Sequence, residues 1–66
     1  MITKTTLQKM GNRALREYVN TLEREARILR LDGMYDIAAL ADQDLAAAGL
    51  EVIKRIMAGE LTLLKD

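Results

Sequence analysis

Apolar side chains in the first half of the chain recur at intervals of three and four residues, with polar side chains between them. That period is typical of one buried face of an α-helix. The pattern predicts a first helix over about residues 6–32. Its apolar face is expected to comprise Leu7, Met10, Ala14, Tyr18, Leu22, Ala26 and Leu29, widened by Leu15 and Val19.

Two positions compete for the start of this helix. Thr5 followed three residues later by Gln8 matches a capping box, which places the start near residue 6. Gly11 weakens the run, and Asn12 after it can cap a helix that begins near residue 13. We expect a single helix from about residue 6 with a weak point at Gly11.

The middle of the chain contains the signals of a turn between two helices. Gly33 can adopt the left-handed conformation that ends a helix, which predicts a turn over residues 33–36. Asp36 is a suitable N-cap for a second helix over about residues 37–58, and Gly59 is positioned to end it. A short connection makes neighbouring helices antiparallel, so the chain is expected to form a helical hairpin.

The second helix carries an unusually wide apolar arc. One stripe consists of Ala41, Leu45, Ala48, Val52 and Ile56, and the flank beside it consists of Ala46, Gly49, Leu50, Ile53 and Met57. One neighbouring helix can cover only part of such an arc. Gly49 costs about 1 kcal/mol relative to Ala inside a helix. That cost is tolerable if the small residues around it let another backbone come close, so we expect a second chain to cover the excess.

The fold class follows as all-α, an antiparallel two-helix hairpin in a single domain over residues 1–66. The hairpin is expected to dimerise into a four-helix bundle. Residues 59–66 form a tail that is either a short third helix or an extended segment. The chain has no Cys and no His, so neither a disulfide nor a zinc site can strengthen its small core, and no metal is expected.

The two tyrosines are the only aromatic residues. Tyr18 lies on the apolar face of the first helix and is expected in the core. Tyr35 precedes the proposed cap, where it can form a hydrophobic staple with Leu40. Alternatively, Tyr35 is an anchor in a protein interface, a role that suits tyrosine.

Catalysis is not expected. The usual proton carriers at neutral pH are missing, and Asp42 and Asp44 point in different directions on a helix. Glu51 and Arg55 form an i,i+4 pair typical of a helix surface. The four glycines are isolated, so there is no phosphate-binding loop. We therefore expect no cofactor and no small-molecule substrate.

Charge and hydropathy restrict the location and the partners. No apolar run approaches the ~20 residues of a membrane span, and a cytoplasmic location is expected. Residues 1–32 contain seven Lys or Arg against four Asp or Glu, whereas residues 33–66 contain three against six. The two halves therefore complement each other, and this favours packing of one on the other. A basic face for nucleic acid is the alternative.

The stretch "MYDIAALADQDLAAAGLEVIKRIMAG" resembles helix-turn-helix DNA readers in its Tyr-Asp-Ile-Ala opening and its closing Lys-Arg. It departs from them where Asp42 and Gln43 replace the Gly and apolar residue of the turn. The resemblance implies a small transcriptional regulator. Its phosphate contacts would come from outward arginines, namely Arg13, Arg16, Arg24, Arg27 and Arg30.

The whole chain is also similar in size and in its "DLAAAGLEVI" helix to the small hairpin co-chaperones of type III secretion needle subunits. The preferred interpretation is a protein–protein interaction module of the adaptor, co-chaperone or inhibitor type. Its partner is expected to be a second copy of itself, another protein, or both. The expected partner-binding residues are Tyr35, Ala48, Gly49, Val52, Ile53, Ile56 and Met57.

Overall fold

The computed structural model describes residues 2–60, and this range contains three α-helices. They are α1 (Lys4–Lys9), α2 (Asn12–Leu31) and α3 (Tyr35–Met57). The start of α2 contacts the end of α3, and the end of α2 contacts the first third of α3, so these two helices are antiparallel. The prediction of an all-α hairpin is confirmed.

The first helix is interrupted, and the prediction of one helix over residues 6–32 is wrong. Met10 is extended (φ −69°, ψ 138°), and so is Gly11, after which α2 begins. The cap also differs from the Thr5–Gln8 box, since the hydroxyl of Thr3 accepts from the N–H of Thr6 at 3.2 Å. The break separates α1 from α2 and lets α1 pack on α3.

Gly33 ends α2 as predicted, in the left-handed region at φ +79°. Its N–H donates to the carbonyl of Arg30, and the N–H of Met34 donates to that of Leu29 at 2.8 Å. This is a Schellman motif. The prediction for Asp36 is wrong, because Met34 is the N-cap of α3 and Asp36 lies in its first turn.

The same motif ends α3. Gly59 has φ +77°, its N–H donates to Ile56, and the N–H of Glu60 donates to the carbonyl of Arg55. The predicted stop at Gly59 is confirmed. Residues 61–66, which belong to the predicted tail, lie outside the described residues.

The core is small and lies where the three helices meet. Leu15 of α2 is its only large side chain that is fully buried among the described residues, and Leu7 and Ala48 pack with it. Ala14, expected on the inner face, is exposed, because the break at Gly11 turns Leu15 inward instead. The other buried apolar residues along the hairpin are Leu22, Ala26 and Ala38.

The molecule is a thin layer, 39 × 25 × 16 Å along its principal axes. The residues of α3 on the side opposite α2 are exposed from Ala39 to Met57. No second layer lies behind α3 in the described part of the chain. One face of α3 is therefore left without a neighbour.

Candidate protein-binding face of α3

The side of α3 that points away from α2 is largely apolar and exposed. Its exposed residues follow one another at intervals of four and three along the helix. Here they are called the outer face of α3: Ala39, Gln43, Ala46, Leu50, Ile53 and Met57. The side chains of Leu50, Ile53 and Met57 are 70 %, 54 % and 83 % exposed. Three adjacent large apolar side chains on one helix face form an unusual surface for an isolated protomer.

The predicted partner-binding residues divide by their place around α3. Tyr35, Ile53 and Met57 are exposed, and Tyr35 lies eighteen residues, about five turns, before Ile53 on the same side. Gly49, Val52 and Ile56 are half-buried. The assignment of Ala48 is corrected. It is fully buried against Leu7 and Leu15, so it cannot reach a partner.

Gly49 has free space around it. A Cβ added there would meet no atom within 4 Å among its neighbours. The close helix approach that the small residues suggested is therefore not made by α2 within the described chain. The space at Gly49 is continuous with the outer face, between Ala46 and Ile53 on the helix surface.

A groove between α1 and α3 adjoins the outer face. It has a volume of about 460 Å³ and is mainly apolar. Lys4 and Lys54 contribute its two cationic groups. The other lining residues are Leu7, Ala47, Leu50 and Glu51. The groove exists because the chain break at Gly11 lays α1 along α3.

Arg55 and Glu51 form a buried pair, whereas the sequence indicated a surface pair. Arg55 is only 7 % exposed, and its Nε donates to Glu51 Oε2 at 2.9 Å. Its Nη1 donates to Asn12 Oδ1 at 2.9 Å, and its Nη2 donates to the carbonyl of Leu7 at 3.0 Å. The carbonyls in the last turn of a helix lack intrahelical partners, and Arg55 supplies one at the end of α1.

Asn12 extends this network to the end of α3. Its Nδ2 donates to the carbonyl of Glu60 at 2.6 Å, while its Oδ1 accepts from Arg55. Every buried side-chain nitrogen and oxygen of the described residues has a hydrogen-bond partner. The network therefore acts as a structural clamp between the three helices. In the sequence, the weak point at Gly11 and Arg55 are more than forty residues apart. A local pattern cannot show that the two meet in the fold.

Tyr18 is the one described residue with a resolved pKa shift. Partial burial raises the pKa of its phenol, and the negative charges of Asp44 and Glu25 raise it further. Asp44 also accepts from the backbone N–H of Ile2 at 3.1 Å, which ties the start of the chain to α3. Tyr18 itself is partly buried and packs against the core of Leu7, Leu15 and Ala48, where the sequence predicted it.

Between residues 2 and 60, no group of three acidic residues is placed to hold a metal ion. None of the described helices is long and apolar enough to cross a membrane.

The stretch that resembles a helix-turn-helix motif has no turn at the position that the motif requires. Asp42 and Gln43 lie inside α3, which is one continuous helix of 23 residues. Arg13 forms an ion pair with Glu17 at 3.3 Å, and Arg30 forms one with Asp42 at 2.8 Å. The second pair joins the basic half of the chain to the acidic half.

A scan of the chain against protein-family models finds no match, and searches of curated proteins and of solved structures find no significant match.

Proposed function

We propose that the protein is a non-catalytic protein–protein interaction module that acts in the cytoplasm through the outer face of α3. The observation that carries the proposal is the exposure of Leu50, Ile53 and Met57 in one continuous apolar line. Burial of such side chains contributes ~1.5–3 kcal/mol each, which is enough for a helix face to bind a helix or groove on another protein.

The size of the core supports assembly. Chains below ~70–80 residues rarely reach more than ~3–5 kcal/mol from one core, and most add a disulfide, a metal or a further chain. This chain has no Cys, and half of the buried apolar residues between positions 2 and 60 are alanines. A dimer formed through the outer face is the assembly we propose. Because this face points away from α2, its four helices lie side by side with the two α3 helices in the middle, and not in the compact four-helix bundle expected from the sequence. Adaptor, co-chaperone and inhibitor roles all suit such a module.

Two isoleucines allow a matched test. Ile53 on α3 and Ile28 on the far side of α2 are 54 % and 50 % exposed, so replacing either by Glu is the same chemical change at similar burial. The tagged protein and both variants are used to capture partners from host cells. The mass in solution of the protein and of each variant is measured separately. Ile53→Glu is expected to abolish assembly and capture, whereas Ile28→Glu retains both.

Equal behaviour of the two variants would contradict a role for the outer face. Fluorescence anisotropy with duplex DNA at low and high salt tests the alternative of a DNA-binding regulator. Salt-sensitive binding that Ile53→Glu leaves unchanged would favour that alternative, because phosphate contacts release counterions and involve the arginines rather than an apolar face.

A further inference from the structure

The outer face of α3 has a heptad spacing. Ala39, Gln43, Ala46, Leu50, Ile53 and Met57 follow one another at intervals of four, three, four, three and four residues, and all six are exposed. This 3.5-residue period is the seam that one helix presents to another in a coiled coil. The face therefore matches a long helix better than it matches a loop or a strand.

Side-chain size changes along this seam. The half nearer the turn carries Ala39, Gln43 and Ala46, and the other half carries Leu50, Ile53 and Met57. An antiparallel copy centred between Ala46 and Leu50 places Leu50 and Met57 opposite alanines, and Ile53 opposite Gln43. Leu50 then faces the second copy's Ala46. A parallel copy would instead place alanines on alanines and leave gaps beside them, and such gaps are destabilising.

The same antiparallel arrangement fills the groove between α1 and α3. Leu40, Ala47 and Lys54 lie at heptad intervals along the flank that borders this groove. Leu40 is largely exposed, and in the antiparallel register it lies within two residues of the level of the second copy's Lys54, at the edge of the groove. The apolar side chain of Leu40 can therefore enter the mainly apolar groove between α1 and α3 of the second copy.

Charges on this flank also favour the antiparallel orientation. Asp36 and Lys54 are both exposed and lie eighteen residues apart, which is about five turns, so they share one side of α3. In antiparallel copies, the end of one flank that carries Asp36 approaches the end of the other flank that carries Lys54. Parallel copies would bring like charges together and would also align the two helix dipoles unfavourably.

We propose that the occupant of the outer face is a second copy of this chain, whose α3 packs antiparallel with Leu50 opposite Ala46 and Leu40 in the α1–α3 groove. The inference rests on the proposed function and adds the orientation and the register of the two copies. Gly49 and Ala47 lie beside the two-fold axis, where their small size allows the helices to approach closely.

Cysteine cross-linking tests the register directly, since the chain has no Cys of its own. Ala39→Cys and Met57→Cys are prepared separately, mixed and oxidised. In the proposed register, residue 39 of one copy lies opposite residue 57 of the other. The two copies of residue 39 are then ~27 Å apart, and so are the two copies of residue 57. A disulfide needs Cα atoms within ~7 Å. The mixture is expected to form a disulfide-linked dimer, whereas each variant alone is expected to stay uncross-linked.

Ile28→Cys on the far side of α2 is the control and is expected to remain uncross-linked. Cross-linking of Met57→Cys with itself would overturn the antiparallel orientation. A dimer that Ile53→Glu dissociates but that shows no 39–57 cross-link would overturn the register and leave the proposed function standing. A protein of single-chain mass at all concentrations, with Ile53-dependent capture of another protein, would overturn the second copy as partner.

Two further variants probe the packing without cysteine. Gly49→Leu has free space within the protomer, so its circular dichroism spectrum is expected to remain helical while the dimer dissociates. Leu40→Ala is expected to weaken the dimer at least about tenfold, since it removes apolar contact from both symmetry-related grooves. Sedimentation equilibrium measures both. Unchanged dissociation constants for both variants would overturn the proposed contact.

Discussion

Nη2 of Arg55, in the last turn of α3, lies 3.0 Å from the carbonyl oxygen of Leu7, in the last turn of α1. A helix of six residues such as α1 is not stable in isolation, because isolated helices shorter than ~12–15 residues are marginal in water. This hydrogen bond, together with the burial of Leu7, holds α1 on the hairpin. The groove beside the outer face therefore depends on Arg55.

Replacing Arg55 by Met is expected to lower the free energy of unfolding by ~3–5 kcal/mol, because it leaves the Glu51 carboxylate buried without its partner. In so small a protein this loss can unfold the chain, and urea denaturation followed by circular dichroism measures it. The double variant Glu51→Gln/Arg55→Met is expected to be more stable than Arg55→Met alone.

Lys54→Met changes the exposed neighbour of Arg55 and serves as the control. Measured at a concentration where the protein is monomeric, its free energy of unfolding is expected to change by no more than ~0.5 kcal/mol. If Arg55→Met were as stable as Lys54→Met, the hydrogen bonds to Leu7 and Asn12 would contribute nothing to the fold.

Alanine substitutions of Gly33 and Gly49 are expected to act in opposite directions. Gly33 has φ +79°, so a Cβ there strains the backbone and costs ~1 kcal/mol. Gly49 is helical with free space around it, so Ala is expected to stabilise the protomer by ~0.5–1 kcal/mol. Thermal unfolding of both variants at low concentration measures the difference. A destabilised Gly49→Ala protomer would show that an atom of the protomer does occupy that space.

The Arg30–Asp42 pair is expected to contribute little to stability. Both side chains are about half exposed, and exposed ion pairs contribute ~0.2–1 kcal/mol. Asp42→Asn is therefore expected to cost less than ~1 kcal/mol in dilute buffer, and the cost should shrink in ~1 M NaCl, where the screening length is ~3 Å. Urea denaturation at the two salt concentrations is the measurement. A cost that is large and independent of salt would indicate a different role for Asp42.

Stability is expected to fall at alkaline pH through Tyr18. Its folded pKa is raised, so the folded state holds the phenol proton more tightly than the unfolded state does. The resulting stability is fully present below the unfolded pKa of ~10 and is lost as pH rises through the folded pKa. Tyr18→Phe should remove that part of the alkaline loss, whereas Tyr35→Phe, at an exposed ring, should retain it.

Asp44 contributes to the raised pKa of Tyr18, so Asp44→Asn is expected to lower that pKa. Ultraviolet absorbance of tyrosinate during a pH titration measures it, with Tyr35→Phe as the background so that one phenol is observed. A Tyr18 titration that Asp44→Asn leaves unchanged would mean that burial and Glu25 raise the pKa without a contribution from Asp44.

The C-terminal ends of α2 and α3 and part of the inner stripes were readable from the sequence because each depends on neighbours within a few residues. Gly33 and Gly59 end helices through bonds to carbonyls three and five residues earlier, and the spacing of Leu22 and Ala26 reflects one helix turn. The wide apolar arc of α3 was equally visible, since helical geometry alone places Leu50, Ile53 and Met57 on one side.

The break at Gly11, the burial of Ala48 and the clamp at Arg55 were decided only by the tertiary structure. Arg55 binds groups 43 and 48 residues away, so no local pattern distinguishes it from a surface residue. The intrinsic preference of residues 6–32 for one helix was outweighed by packing, since ending α1 at Lys9 lets Leu7 reach the core. Sequence period determined which residues share a face, and three-dimensional packing determined which of those faces is covered.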